Sequence, residues 1–478
     1  MKKHKVLLAS FEAVPFIKTG GLGDVAGALP RYLSNESWEA RCVLPKLGTL
    51  RREYTDRMRF ITSFTVPLGW RNQYCGLFEL EYGGCIWYFL DNEYYFKREK
   101  EYGYFDDGER MAFYAKAVCE CLRWLPDFFP EVLHCNDWHT ALTPVYLREQ
   151  YREVPGYQDV RTVFTVHNLK FQGQYSPFIL GDVLGLYECE AARNQLTRGD
   201  SVDFMAGALS YSDRVTTVSP SYAGEICTPE YGEGLEDIFR RRHDILSGIL
   251  NGIDTEVYDP AADGCIYAPF SDLTGKRANK LALQRELGLE ENADRPLFVL
   301  ISRLTEQKGI DLLSELLWVF PAEGMQLAVL GTGDKRFENA LYSASRTHPG
   351  SIAARIEFSE PLSRKLYAGG DALLMPSRFE PCGLSQMIAM RYGTVPVVRE
   401  TGGLRDSVEP YNEFTGEGTG FGFTRCDSDD LLGAIRKTAS LFRQPGKWKK
   451  LAANCFAQDF GWACSAEKYR ELYLELIE

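Results

Sequence analysis

Leu297-Phe298-Val299-Leu300-Ile301-Ser302-Arg303-Leu304-Thr305-Glu306-Gln307-Lys308-Gly309 is an unbroken apolar run that ends abruptly in a polar, cation-bearing segment. Continuous rather than alternating apolar residues predict a strand covered on both faces. The same grammar recurs along the chain. Upstream it appears at Val6–Ala9, Ile86–Leu90, Val132–His134, Thr162–Val166 and Arg214–Val218. Downstream it appears at Gln326–Leu330, Arg355–Phe358, Ala372–Met375 and Thr394–Val398. Helix-length segments such as Glu109–Arg123, Lys276–Leu287 and Asp311–Val319 lie between these runs. The alternation predicts an α/β protein with doubly wound parallel sheets. Gly252–Ala268, with Asp259-Pro260 inside it, has no helical period, so the domain boundary is expected near residues 250–260.

A chain of 478 residues is too long for one ordinary core and suits two large domains. Its formal charge of -12 gives no basic footprint for nucleic acid. Any phosphate must therefore be held by a few placed cations. The 13 cysteines form no CxxC pair and read as reduced thiols. The short run Val6–Ala9 is a first strand rather than a signal-peptide core, and no stretch approaches the roughly 20 apolar residues of a membrane span. A soluble cytoplasmic protein is expected.

In open α/β sheets ligands bind beyond the carboxyl ends of strands, which directs attention to the residues just after each apolar run. The first run leads through Glu12 to Lys18-Thr19-Gly20-Gly21-Leu22-Gly23-Asp24. This loop can offer amides to an anion, or it is an ordinary strand-to-helix turn; Lys18 precedes the glycines, so it is no Walker motif. His134-Cys135-Asn136-Asp137-Trp138-His139 and His167-Asn168 follow two further strands. Two histidines five apart with no third ligand make a poor metal site, and none is expected. Arg303 and Lys308 suit a diphosphate, one as a fork and one as a point charge, although isolated surface cations are the plainer reading. The densest cluster is Pro376-Ser377-Arg378-Phe379-Glu380-Pro381-Cys382-Gly383-Leu384-Ser385-Gln386. Beside it, Thr401-Gly402-Gly403-Leu404 is a second loop able to wrap phosphate or ribose. No GxSxG elbow, zinc-type Cys/His spacing or Walker A loop occurs.

Taken in order and nearly end to end, these segments resemble the bacterial glycogen synthases and plant starch synthases. The match runs through Lys18–Val25, His134–Leu142, His167–Gly173, Arg214–Tyr222, Gly248–Asp254, Ser302–Gly309 and Pro376–Gln386. The resemblance implies a GT-B fold: two Rossmann-like domains facing each other across a deep cleft. It implies a donor domain at residues 251–460, an acceptor-side domain at 1–250, and a segment at 461–478 returning to the first domain. The implied activity is transfer of glucose from ADP-glucose to the non-reducing end of an α-1,4-glucan, with retention of configuration and without a cofactor. Partners are thus ADP-glucose and glucan, with no nucleic acid and no membrane.

Position by position, the resemblance makes Glu380 the glutamate at the donor sugar and Arg303 and Lys308 the diphosphate pair. It makes Lys18, Gly20 and Gly21, with Asp24, the loop that closes over donor phosphates and sugar. Asp137 and His167 fall around the reacting glucose, with Asn168 and Trp138 nearby. Cys382, Gly383, Leu384, Thr401, Gly402 and Gly403 line the substrate side, and Phe358 falls near the nucleobase-stacking position. Many retaining GT-B enzymes carry a second glutamate eight residues after the first; Ile388 stands there, as in this subfamily. One carboxylate favours front-face attack over double displacement, with Asp137 the nearest candidate for a second. A sucrose or UDP-sugar synthase, a phosphorylase and a non-catalytic glucan-binding relative are the competing readings. The first lacks support from Lys18–Asp24 and Glu380-Pro-Cys-Gly, the second lacks a pyridoxal-phosphate lysine motif, and the third would have eroded the phosphate ligands.

Overall fold

The computed structural model describes residues 3–478. Met1–Asn251 together with Trp462–Glu478 form one compact unit, and Gly252–Gly461 form the other.

The first unit holds β1 (His4–Ala9), β2 (Trp38–Pro45), β3 (Arg59–Leu68), β4 (Arg71–Tyr82), β5 (Cys85–Asp91) and β6 (Val132–Asn136). It continues with β7 (Arg161–Val166), the short β8 (Gln174–Tyr175), β9 (Thr197–Arg198) and β10 (Ser201–Asp203), then β11 (Arg214–Thr217) and β12 (Leu246–Gly248). The main sheet runs β12-β11-β7-β6-β1-β2-β5-β4-β3. It is parallel from β12 to β5, and the β3–β4 hairpin adds an antiparallel edge. Val6, Leu7, Leu8 and Ala9 are fully buried, as a central strand with helices on both faces requires. The chain works outward from β1 through β2 to the hairpin, then crosses to β6 on the other side. The switch point therefore lies between β1 and β6, and the loops after these strands meet there.

The C-terminal helix Trp462–Ile477 belongs to this unit. Trp462 and Tyr473 are buried, Arg470 Nη1 donates to the Tyr32 carbonyl (2.8 Å), and Ser465 Oγ donates to the Leu250 carbonyl (2.6 Å). Buried His134 on β6 lies between the Tyr473 hydroxyl (2.7 Å) and Thr165 Oγ1 (2.6 Å). It is a hydrogen-bonded core histidine that ties this helix to the sheet.

The second unit has one all-parallel sheet built from β13 (Leu297–Ile301), β14 (Gln326–Leu330), β15 (Ile352–Arg355), β16 (Ala372–Met375), β17 (Val395–Arg399) and β18 (Phe421–Phe423). Its order, β15-β14-β13-β16-β17-β18, is that of a dinucleotide-binding Rossmann sheet, with the switch point between β13 and β16.

Two local expectations shift. The strand expected at Arg355–Phe358 lies at Ile352–Arg355, because Ile352 and Ala353 are the buried residues while Phe358 is 87% exposed. Ser359 caps the next helix instead, its hydroxyl accepting from Leu362 N. The helix expected over Asp311–Val319 breaks into Ile310–Glu315 and Val319–Ala322. The chain turns at Leu316 so that Leu313, Val319 and Phe320 all reach the core.

Candidate active site

In the second unit the loops after β13 and β16 run side by side. Arg378 N donates to the Gln307 carbonyl (2.8 Å), and a Cβ on Gly309 would stand 2.0 Å from the Pro376 carbonyl oxygen. Gly309 also has φ of 68°, so only glycine fits that contact and that turn. The close approach brings Lys308 Nζ to 2.5 Å from Glu380 Oε2, with Ser377 Oγ donating to the same oxygen at 3.0 Å. Glu380 is nearly buried, its side chain 8% exposed against 17% for Lys308. Arg303, on the same β13 loop, is exposed, and among the described residues no carboxylate pairs with it. The switch point thus carries a fixed carboxylate, one cation locked to it and one cation free to take an incoming anion.

Glu380 is also held through its main chain. Gly403 N donates to the Glu380 carbonyl (3.0 Å), which joins the β16 loop to the start of the short helix Gly402–Ser407. A Cβ on Gly402 would meet the Glu380 oxygen at 2.0 Å, and one on Gly403 the Cys382 oxygen at 2.2 Å. These glycines are therefore demanded by packing, whatever they contact besides. Thr401 and Cys382 are buried, Gly383 has φ of 72°, and Leu384 precedes the helix Ser385–Arg391, where Ile388 faces the interior. Phe358 stands exposed after β15, at the same carboxyl edge of the sheet.

In the first unit the loop after β1 is organised by Glu12. Its Oε2 accepts from Thr19 N (2.7 Å) and Gly20 N (3.1 Å), and its Oε1 from the hydroxyls of Thr19 (2.5 Å) and Tyr102 (2.8 Å). Those two amides are committed to the protein's own carboxylate. Lys18 Nζ pairs with Asp24 Oδ1 at 2.7 Å, both partly exposed. Gly20 and Gly21 have negative φ, and a Cβ on either would meet nothing within 4 Å. Neither turn geometry nor packing asks for glycine there. The space above their backbone is open to a ligand.

The loop after β6 meets the β1 loop across the switch point. Asn136 Nδ2 donates to the Ala9 carbonyl (3.1 Å), and His139 stacks against both Phe11 (5.3 Å between centroids) and Tyr102 (4.8 Å). Asp137 sits at φ of 57°, an uncommon conformation for a residue with a Cβ. There its Oδ1 accepts from the amides of His167 (2.8 Å) and Asn168 (3.4 Å). Burial pushes the Asp137 carboxyl up to about 7; those two amides oppose the rise and the Glu12 charge adds to it. Burial also drives His167 down to about 3, so the ring is neutral at neutral pH. His167 Nε2 lies 2.9 Å from Asn136 Oδ1; an amide oxygen only accepts, so Nε2 carries the proton and Nδ1 keeps its lone pair. Trp138 lines a groove of about 390 Å³ with Lys170, Phe171, Gln172, Tyr175 and Glu233. Asn168 Oδ1 accepts from Lys170 N (3.1 Å) at its edge.

Sequence reasoning named most of these positions but assigned no part to Glu12, Tyr102 or Ser377. Glu12 was legible only as an acid three residues beyond a buried strand; what it holds depends on the fold. Among the described residues no group of three or more His, Cys, Asp or Glu could hold a metal ion, and no helix is long and apolar enough to cross a membrane.

Residues 5–241 match the starch synthase catalytic domain, and residues 287–454 match the glycosyl transferases group 1 domain. A glycogen synthase of Geobacillus thermodenitrificans is 50% identical over 476 residues, covering 99% of this chain and 98% of that protein. One from Desulforamulus reducens is 48% identical over 475 residues, covering 99% of each. Among solved structures, the catalytic domain of starch synthase IV from Arabidopsis thaliana, bound to ADP and acarbose, superposes with a TM-score of 0.89 at 32% identity over the full length of both chains. A sucrose-phosphate synthase from Thermosynechococcus elongatus shares the fold at 17% identity, with a TM-score of 0.62. Two Rossmann-like sheets in this order, with relatives of this identity over nearly the whole length, place the chain in the glycogen and starch synthase family of GT-B glycosyltransferases.

Proposed function

We propose that this chain transfers glucose from ADP-glucose to the non-reducing end of an α-1,4-glucan with retention of anomeric configuration. The observation that carries the reading is the Lys308–Glu380–Ser377 cluster beside unpaired Arg303, at the switch point of a parallel sheet. The family supplies the substrate class, and ADP in the starch synthase IV structure supports adenine over uracil.

Breaking the anomeric C–O bond puts positive character on glucose and negative charge on the departing diphosphate. Arg303 takes diphosphate oxygens bidentately, and Lys308 neutralises the charge that develops as the bond breaks. Lys308 is already oriented by Glu380, so little reorganisation is needed at the moment of reaction. Glu380, acceptor-only while ionised, holds donor-sugar hydroxyls. In the first unit Lys18 and the open backbone at Gly20 and Gly21 contact the donor, and neutral His167 accepts a sugar hydroxyl at Nδ1. Phe358 packs on the base, and the Trp138 groove takes the glucan.

Retention by double displacement needs a carboxylate free to attack the far face of the sugar. Asp137 is committed to two main-chain amides, which supports a clamp for His167 and Asn168 over a nucleophile. Front-face attack, with the leaving phosphate oxygen taking the acceptor's proton, fits these groups better.

The test is transfer of labelled glucose from ADP-glucose, and separately UDP-glucose, onto glycogen, with the linkage read by enzymatic digestion. Incorporation from ADP-glucose as α-1,4 residues is expected. Donor hydrolysis alone, or transfer only to a monosaccharide acceptor, would overturn the proposal.

A further inference from the structure

Glu12 is nearly buried, and among the described residues it takes part in no salt bridge. Its two oxygens accept four hydrogen bonds, from two amides and a hydroxyl of Thr19-Gly20 and from the Tyr102 hydroxyl. The helix Gly21–Leu33 starts at Gly20 with no side-chain cap, and this carboxylate holds the two amides that immediately precede it, those of Thr19 and Gly20. Tyr102 in turn stacks on His139, 4.8 Å between centroids, and lies tilted against Phe11 at 5.4 Å. His139 adjoins Trp138 and follows Asp137 by two residues. Glu12 and Tyr102 together therefore connect the lysine-glycine loop after β1 to the aspartate-tryptophan-histidine loop after β6.

We propose that Glu12 is a positioning residue, which fixes the Lys18–Gly23 loop in its donor-binding shape and, through Tyr102 and His139, keeps it in register with the Asp137–Trp138 loop. The inference rests on reading Lys18–Gly23 as a donor-binding element. Glu12 touches no substrate in this scheme. Its effect is geometric, and a misplacement of about 1 Å in such a loop is worth on the order of 10²-fold in rate.

A positional role and a charge role part company at glutamine. In Glu12→Gln the amide oxygen still accepts from the Thr19 and Gly20 amides. The amide nitrogen can donate to the Thr19 and Tyr102 hydroxyls, which rotate to accept. Glu12→Ala loses all four contacts.

The experiment measures kcat and both KM values for Glu12→Ala, Glu12→Gln, Lys18→Ala and the double variant Glu12→Ala/Lys18→Ala, per folded enzyme. Expected are a loss of roughly 10²-fold in Glu12→Ala with a raised donor KM and unchanged glucan KM, and recovery to within about fivefold in Glu12→Gln. The double variant should be no worse than Lys18→Ala alone, since residues acting through one element are not additive. Glutamine as damaging as alanine, or losses that multiply in the double variant, would overturn the proposal. Near-native Glu12→Ala beside a crippled Lys18→Ala would overturn the positioning role alone. Near-native Lys18→Ala would overturn the donor-loop reading beneath it. Should Glu12→Ala not fold, Tyr102→Phe removes one of the four contacts and enters the same cycle. Its several-fold loss should vanish in the Lys18→Ala background, and a loss that persists there refutes the link.

Discussion

Replacing Lys308 and Arg303 by alanine, one at a time, separates catalysis from stability, because the two cations sit in different environments. Lys308 Nζ lies 2.5 Å from Glu380 Oε2, and both side chains are largely buried. Its removal takes one preorganised cation from the departing diphosphate, worth about 2.7–4 kcal/mol, or a 10²–10³-fold fall in turnover. It also leaves Glu380 with the Ser377 hydroxyl as its remaining side-chain partner, and an under-satisfied buried carboxylate costs about 1–3 kcal/mol of folding stability. Arg303 is exposed and unpaired, so its loss should change stability by no more than about 0.5 kcal/mol. Its turnover should nevertheless fall by a similar 10²–10³-fold, with weaker donor binding, because the diphosphate is held in the ground state too. The assay is ADP release from ADP-glucose with glycogen as acceptor, normalised to folded protein, alongside urea unfolding of each variant. Near-native turnover in both variants refutes the phosphate clamp. A Lys308→Ala deficit that disappears on correction for the folded fraction refutes its catalytic half.

The two pairs of glycines should respond oppositely to alanine. Gly20→Ala and Gly21→Ala should keep native stability and raise the donor KM roughly tenfold, whereas Gly402→Ala, at φ of 45° and 2.0 Å from the Glu380 oxygen, should cost about 1–3 kcal/mol in unfolding experiments. Acid should destabilise the protein below pH 6.5. His134, His139 and His167 are held neutral down to about 3, so the unfolded chain takes up three protons that the native state refuses, and their stabilising contribution drains away as pH falls from 6.5 toward 3. Asp137 works the other way, because its folded carboxyl keeps its proton up to about 7 and its contribution is lost as pH rises through that value. Between pH 3.8 and 6.5 the net is three protons less one, so stability falls with acid on a two-proton slope. Asp137→Asn should steepen it to the three-proton value, measured by unfolding at a series of pH values. Exhaustive chelation should leave transfer intact, since Arg303 and Lys308 already supply the charge a cation would bring; loss of activity restored by one added metal would refute that assignment.

How much was legible in the sequence follows from what kind of contact each feature needs. Apolar runs such as Leu297–Ile301 and Gln326–Leu330 announce buried parallel strands, because a strand covered on both faces has no polar side to show. Their ends mark the site, because ligands bind where such strands stop. The ordered motifs named the family on residue identity alone, and with it Glu380, Arg303 and Lys308. The β3–β4 hairpin carries no such signature: its burial alternates irregularly, as expected of an edge with one wet face. The broken helix after Gly309 and the early strand at Ile352–Arg355 depended on which apolar residues the core could reach, a choice settled by packing rather than periodicity.

The site divides in the same way. Which residues are proposed to carry the chemistry was read from the sequence itself, since residue type and position relative to a strand end are one-dimensional facts. How those residues are held was decided only by tertiary structure. Lys308 and Glu380 are 72 positions apart, and Glu12 and Tyr102 are 90 apart; each pair meets because two strands lie beside or near each other in a sheet order the chain does not visit consecutively. The commitment of Asp137 to the amides of His167 and Asn168, and the open space over Gly20 and Gly21, are likewise properties of the folded surface. They require distances between segments brought together by the burial of strands, and no local pattern encodes those distances.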